Sequence, residues 1–198
     1  MNLQKAKHKL KTGQDLKIVA LGDSLTYGWM VEKGYLDFLK EMLIAKYPKS
    51  ILKIINRGIP GDTAEGGLRR LHDHVLKADP DLVFIQFALN DAFSGYPVER
   101  FQSNVMTITG KIKNDTSSEI LLLTSSALDD RDKHIAEKYY CSLKDIAEKE
   151  DIPIVLVHEY WEKRISEGIQ FSTLVQADHV HPSVEGYRLM AEAIVEVF

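Results

Sequence analysis

Short apolar runs and stretches of helical periodicity alternate along the whole chain. The runs are KIVAL (17–21), ILKIIN (51–56), DLVFIQF (81–87), EILLLT (119–124) and PIVLV (153–157). Several of them are apolar at consecutive positions, which is typical of strands that are covered on both faces. Helical patterns lie between and after the runs, at 35–46, 64–77, 98–113, 131–150, 160–168 and 183–198. The alternation predicts an α/β fold in which helices surround a five-stranded parallel sheet.

The 198 residues contain no repeat, low-complexity segment or Pro/Gly-rich linker, so we expect one domain over 1–198. The first residues, MNLQKAKHKLKTGQDL, have the lysines of a signal peptide but lack its continuous apolar segment. We therefore expect residues 1–16 to be a flexible or loosely packed lead-in. No stretch approaches the ~18 apolar residues that span a bilayer, so we expect no stable membrane insertion and a cytoplasmic location.

Charge and cysteine content exclude several classes of function. The formal net charge of -4 gives no general attraction to nucleic acid, which is therefore not an expected partner. The one cysteine, Cys141, excludes an internal disulfide and a CxxC metal site. Cys141 lies opposite the apolar face of the 131–150 helix, so we expect an exposed thiol without a catalytic role. An apolar helix face can pack inward or onto a partner, which leaves the oligomeric state open.

Residues that can carry chemistry follow the ends of the predicted strands. The segment GDS (22–24) follows the first strand, and RGIPGDT (57–63) follows the second. Asn90 and Asp91 follow the third strand, and ADHVHPS (177–183) lies between the fifth strand and the last helix. Open parallel sheets bind ligands beyond the carboxyl ends of their strands. We therefore expect the four segments to meet at one edge of the sheet as an acyl-transfer site.

A serine that attacks a carbonyl needs a base, a group that orients the base, and donors for the developing oxyanion. Ser24 is the candidate nucleophile and His181 the candidate base. Asp178 lies three residues before His181, where its carboxylate can hold one ring nitrogen and leave the other facing Ser24. The candidate oxyanion donors are the backbone N–H groups of Ser24 and Gly61 and the side-chain amide of Asn90. A glycine lets the backbone approach a substrate closely.

The segments GDSLTYG, NRGIPGDT, ALND and DHVHP, in this order, resemble the sequence blocks of the GDSL esterases, also called SGNH hydrolases. The Ser, Gly, Asn and His of that name correspond to Ser24, Gly61, Asn90 and His181. The resemblance extends from residue 22 to 182, with the spacing of the compact thioesterase and lysophospholipase-like members. It implies a flavodoxin-like three-layer α/β/α sandwich and Asp178 as the third member of a catalytic triad. It also implies hydrolysis of esters or thioesters without a metal or other cofactor.

One position departs from the family pattern, which usually has glycine where this chain has Ala88. The added methyl group disfavours a positive φ, so we expect Ala88 to affect the local backbone and the pocket width.

Several neighbouring residues have a structural interpretation that we prefer. Asp23 is expected to form structural hydrogen bonds, Gly58 to serve a tight loop, and Asp91 to brace the loop of Asn90. Arg57 and Asp62 are candidates for an ion pair that supports the second loop.

His179 and His181 could bind a metal together with Asp178, and His179 could replace His181 as the base. The remaining histidines supply no further ligand at a recognisable spacing, so we favour neither alternative.

The leading hypothesis is a serine esterase of the lipase/acylhydrolase type that forms an acyl-enzyme intermediate. The loops at 91–97 and 125–132 are short and mostly polar, so we expect a small ester or thioester substrate with a short acyl group, such as an acetyl ester. An acyltransferase with the same triad is one alternative. A non-catalytic flavodoxin-like binding module is the other, although the chain lacks the GxxxxGK[S/T] and GxGxxG phosphate-binding patterns.

Overall fold

A single parallel sheet of five strands organises the protein, for which the computed structural model describes residues 3–198. The strands are β1 (Asp15–Gly22), β2 (Ile51–Gly58), β3 (Leu82–Gln86), β4 (Glu119–Leu123) and β5 (Ile154–Val155). Their order in the sheet is β2-β1-β3-β4-β5, and every neighbouring pair is parallel. The direction of winding reverses between β1 and β3, where doubly wound sheets open a crevice for ligands. The predicted five-stranded parallel sheet is confirmed.

Helices cover both faces of the sheet and complete a three-layer α/β/α sandwich. The longer helices after the first strand are α3 (Tyr35–Lys46), α4 (Ala64–His74), α6 (Val98–Asp115), α7 (Lys133–Glu150), α8 (Val157–Ser166) and α10 (Val184–Val195). Short helices α2 (Ser24–Tyr27), α5 (Leu89–Phe93) and α9 (Phe171–Leu174) lie in the connections. Helix α10 packs on α3 and α8, whereas α6 packs on α4 and α7. None of the helices within residues 3–198 is both long and apolar enough to cross a membrane.

The two central strands form the centre of the core because helices cover them on both sides. All five residues of β3 are buried, and so are residues 18–21 of β1. The edge strand β2 is different, since Ile51 is 63% exposed and Lys53 is also exposed. Continuous apolar runs therefore mark the central strands, as expected for a parallel sheet.

The predicted flexible lead-in is wrong for the residues that the structure describes. Helix α1 (Gln4–Thr12) buries Ala6 and Leu10, and Leu3 just before it is 1% exposed. The Glu119 carboxylate accepts hydrogen bonds from the first N–H groups of this helix, at 2.9 Å from Lys5 N and 2.8 Å from Ala6 N. The apolar spacing 3, 6, 10 places one helix face on the sheet. Residues 1 and 2 of the predicted lead-in lie outside the described residues.

Several element boundaries also differ from the sequence prediction. The fifth strand is only two residues long, because the chain enters α8 at Val157 rather than at residue 160. The sequence pattern missed this early start because Val157, the first residue of α8, is buried and belongs to the apolar run 153–157. Short helices such as α2 and α5 were also missed, because four or five residues are too few to show a helical period.

Candidate active site

The chain turns sharply between the end of β1 and α2, and Ser24 is the first residue of that helix. The Asp23 carboxylate caps the helix by accepting a hydrogen bond from the Leu25 N–H at 2.9 Å. Gly22 is required by close packing, since a Cβ there would lie 2.1 Å from Thr26 Oγ1. A Cβ at Gly58 would lie 2.2 Å from the Tyr27 backbone nitrogen, in line with the tight-loop role predicted for this glycine.

The loop before α10 fixes Asp178 and His181 against each other. One Asp178 oxygen, Oδ1, accepts the N–H groups of Val180 at 3.0 Å and His181 at 2.9 Å. The other oxygen, Oδ2, lies 2.6 Å from His181 Nδ1. Ser183 then caps α10 by accepting a hydrogen bond from the Gly186 N–H, so the loop ends at a fixed point. The sequence DHVHPS therefore forms a turn that presents one imidazole in a defined orientation.

Ser24 and His181 meet although they are 157 positions apart in the chain, with Ser24 Oγ 3.0 Å from His181 Nε2. Ser24 is buried, and the His181 side chain is 22% exposed. When Nδ1–H donates to Asp178, Nε2 is unprotonated and can accept the Ser24 hydroxyl hydrogen. The candidate nucleophile, the candidate base and the Asp178 carboxylate thus form one hydrogen-bonded chain. The other candidate base, His179, does not take this position and has a left-handed backbone with φ of 60°.

Electrostatics keep the Asp178 carboxylate ionised. Partial burial by itself raises the pKa of Asp178, but hydrogen bonds from the His181 ring and from the N–H groups of Val180 and His181 lower it. The balance places the pKa of Asp178 below its ordinary value. A negative carboxylate at this position stabilises a positively charged imidazole, which is the form that a candidate base adopts on accepting a proton.

The candidate oxyanion donors come from three segments next to Ser24. Gly61 has φ of +78°, a backbone conformation that favours glycine, and a Cβ there would meet no atom within 4 Å. Within residues 3–198, the Gly61 N–H has no intramolecular acceptor. Asn90 Nδ2 donates one hydrogen bond to the Asp62 carbonyl at 2.9 Å, which leaves its second N–H available. The Ser24 N–H begins a helix and has no acceptor one turn earlier within it.

A pocket of about 270 Å³ opens above Ser24 and Asn90, whereas Gly61 is not among its lining residues. Ser24, His181, Asp178 and Asn90 line it, and its apolar walls are Leu25, Leu89, Phe93 and Val180. The loop of Gly61 approaches the same end of the sheet, because the Ile59 N–H donates to the Gly22 carbonyl at 3.1 Å.

Ala88 does not need the backbone conformation of a glycine in this protein. Its φ of 164° lies outside the left-handed region that favours glycine, and its side chain is fully buried. Its carbonyl accepts the Ala92 N–H at 2.8 Å and so starts α5, the helix that carries Asn90. An alanine therefore fits this position without strain from a positive φ.

The predicted pairing of Arg57 with Asp62 is wrong, because Asp62 pairs with Arg70 instead. Arg70 Nε lies 2.7 Å from Asp62 Oδ2, and its other nitrogens donate to the carbonyls of Arg57 at 2.7 Å and Gly22 at 2.9 Å. Arg70 therefore joins the ends of β1 and β2 to the loop of Gly61. Gly66 leaves room for the Asp62 carboxylate in this contact, since a Cβ there would lie 1.6 Å from Asp62 Oδ1.

Two buried carboxyl groups support the loops around Ser24. Asp91 accepts the Ala64 N–H at 3.0 Å, as the bracing role predicted for it requires, and burial raises the pKa of Asp91 to about 6. Burial raises the pKa of Asp23 to about 7, although hydrogen bonds from the Leu25 N–H and Gln86 oppose the rise. Gln86, which sequence reasoning missed, also donates to Ser125 Oγ at 2.9 Å and accepts from Thr26 Oγ1 at 2.9 Å.

A metal site is not formed in the part of the chain that the structure describes, where no three His, Cys, Asp or Glu side chains cluster suitably. The thiol of Cys141 is exposed on α7, as predicted. The arrangement that remains can take a proton from a serine hydroxyl and donate hydrogen bonds to an oxyanion.

The sequence matches the GDSL-like lipase/acylhydrolase family over residues 20–189, and the chain belongs to that family. It is an ester hydrolase. The arylesterase of Vibrio mimicus is 26% identical, over 91% of this chain and 86% of that protein. An uncharacterized lipoprotein of Bacillus subtilis is 25% identical over 89% of this chain and 87% of its own length, so the predicted cytoplasmic location stays a prediction.

A solved structure supports the fold. The acetylxylan esterase Axe2 of Geobacillus stearothermophilus superposes with a TM-score of 0.82, over 92% of this chain and 93% of that one. Sequence identity in that superposition is 22%, so this likeness establishes the shared fold alone.

Proposed function

We propose that the protein hydrolyses carboxylic esters through an acyl-enzyme on Ser24, with His181 as general base and Asp178 as the residue that orients it. The observation that carries this proposal is the continuous chain of contacts, 3.0 Å from Ser24 Oγ to His181 Nε2 and 2.6 Å from His181 Nδ1 to Asp178 Oδ2. Both distances lie within hydrogen-bond reach, so proton transfer needs no rearrangement of the protein.

In the first step, Ser24 Oγ bonds to the ester carbonyl carbon while its proton passes to His181 Nε2. The bond to the leaving alcohol then breaks, and the imidazolium returns the proton to the alcohol oxygen. A water molecule enters, loses a proton to Nε2 and attacks the acyl carbon, after which Ser24 regains its hydrogen and the carboxylic acid leaves. The oxyanion of each tetrahedral intermediate accepts hydrogen bonds from the N–H groups of Ser24 and Gly61 and from the Asn90 amide.

The substrate that we propose is a small ester with a short acyl group, such as an acetyl ester. The pocket of about 270 Å³ has short apolar walls, formed by Leu25, Leu89, Phe93 and Val180, which suit a few methylene groups. Two relatives support the same class, since one is named an arylesterase and the other an acetylxylan esterase. Acyl-CoA thioesters are the competing substrates for the same chemistry.

The test compares wild type with Ser24→Ala on p-nitrophenyl esters of two to twelve carbons, an acetylated sugar and an acyl-CoA. We expect wild type to prefer the shortest acyl groups, and Ser24→Ala to lose activity while its melting temperature stays close to that of wild type. Full turnover by a folded Ser24→Ala protein would refute the role of Ser24. A steep preference for the longest chains would refute the proposed acyl size.

A further inference from the structure

Gln176 connects the loop of the candidate base to the segment of the candidate nucleophile. Its Nε2 lies 2.8 Å from the Trp29 carbonyl oxygen and 2.8 Å from the Pro182 carbonyl oxygen. The amide therefore donates one N–H to each side of the active site. We propose that Gln176 is a positioning residue that holds His181 next to Ser24, an inference that rests on the proposed function.

The base loop is a closed unit that keeps its own geometry. The Gln176 N–H donates to the His181 carbonyl at 2.8 Å, and the His179 N–H donates to the Gln176 carbonyl at 3.0 Å. The contacts of Asp178 with His181 also lie inside this loop. A shift of the loop therefore moves Asp178 and His181 together, and it changes their distance from Ser24 without disturbing the pair.

The segment on the other side of the Gln176 amide is fixed relative to Ser24. The Trp29 N–H donates to the Ser24 carbonyl at 3.1 Å and to the Tyr187 hydroxyl at 3.2 Å, so both fix the backbone of Trp29 at its nitrogen. In the described chain, two hydrogen bonds join residues 175–182 to residues 22–34. These are the bond from Gln176 to Trp29 and the bond between His181 and Ser24.

These two bonds behave differently during the reaction. Once Ser24 carries an acyl group, it has no hydroxyl hydrogen to donate to His181, so that bond is lost in the acyl-enzyme. The Gln176 amide then supplies the hydrogen bond that remains between the two segments. Activation of water in the second step should therefore depend on Gln176 more strongly than attack by serine in the first step.

The experiment uses Gln176→Met, which keeps the length of the side chain and removes both donors, with Gln102→Met on helix α6 as the matched control. Release of p-nitrophenol from p-nitrophenyl acetate is followed before and during steady state, and rates are divided by the concentration of active sites titrated with a phosphonate. We expect the deacylation rate of Gln176→Met to fall about 10- to 100-fold, the range that a misplacement of up to ~1 Å produces. Acylation should fall less, so that acyl-enzyme accumulates.

The pH at which activity declines in acid should stay unchanged, because the Asp178–His181 pair is internal to the loop. Rates per active site within twofold of wild type, or acylation that falls as much as deacylation, would overturn the positioning role. If Gln176→Met fails to fold, Gln176→Leu provides the same comparison, since it also lacks the donors and adds no charge beside His181. Failure of the proposed function is separate, because it appears as turnover by Ser24→Ala and as wild type that the phosphonate does not titrate.

Discussion

Replacing Asp178 with asparagine should reverse the direction of the hydrogen bond at His181 and keep the loop folded. Asp178 Oδ1 accepts two backbone N–H groups, at 3.0 Å and 2.9 Å, whereas Oδ2 faces one imidazole nitrogen at 2.6 Å. Two donors outweigh one, so the asparagine carbonyl oxygen should keep the Oδ1 position and its NH₂ group should face Nδ1. The imidazole must then carry its hydrogen on Nε2, where it cannot accept the proton of Ser24.

The expected loss of kcat in Asp178→Asn depends on how far the Asp178 side chain is exposed to water. The same exchange at a buried triad aspartate lowers kcat about 10⁴-fold. The Asp178 side chain is 47% exposed, so water can compete for the imidazole, and we expect a smaller loss of roughly 10²- to 10³-fold. The variant Asp178→Ala should differ from Asp178→Asn in both activity and stability. It leaves two backbone N–H groups without their acceptor, at about 1 kcal/mol each, but it does not force the wrong tautomer on His181.

We therefore expect Asp178→Ala to be the more active variant and the less stable one. The assay measures kcat on p-nitrophenyl acetate per titrated active site, and urea denaturation gives the free energy of unfolding. The reasoning is refuted if Asp178→Asn retains more than about a tenth of the wild-type kcat, or if the alanine variant is equally stable and less active.

Three other substitutions probe the groups around the candidate triad. Asn90→Ala should lower kcat on p-nitrophenyl acetate by about 10²- to 10³-fold with little change in KM, because one oxyanion donor is lost. An unchanged kcat would exclude Asn90 as a donor. Arg70→Met leaves the Asp62 carboxylate, which is 14% exposed, without its ion pair, so the free energy of unfolding from urea denaturation should fall by about 3–5 kcal/mol. The control Arg69→Met replaces a side chain that is 73% exposed and should cost under about 0.5 kcal/mol. Burial raises the pKa of Asp23 from 3.8 to about 7, so the folded state binds this proton more tightly than the unfolded chain does. The free energy of unfolding should therefore fall as pH rises from about 4 to 7. A pH series of urea denaturations should show a flatter pH dependence for Asp23→Asn than for wild type. An identical slope in the two proteins would contradict this argument.

The sequence predicted the sheet and the contact of Asp178 with His181 because both depend on patterns that are local in the chain. Continuous apolar runs mark β1 and β3, and these runs end just before the short helices α2 and α5, which carry Ser24 and Asn90. The contact of Asp178 with His181 spans three residues, so a turn can be inferred from the letters alone. The meeting of Ser24 with His181 needed one further rule, that the carboxyl ends of parallel strands share an edge.

The residues that hold the loops in place could not be predicted in this way, for a physical reason. Arg70 and Gln176 act by donating hydrogen bonds to backbone carbonyls, those of Gly22, Arg57, Trp29 and Pro182. Every residue has a carbonyl oxygen, so a partner of this kind leaves no mark on the sequence. Catalytic side chains are different, since the reaction restricts each position to one or two residue types. A supporting amide or guanidinium is recognised only when the fold brings it to a particular peptide group. For that reason the candidate nucleophile could be predicted from the sequence, whereas the residues that hold its loop in place could not.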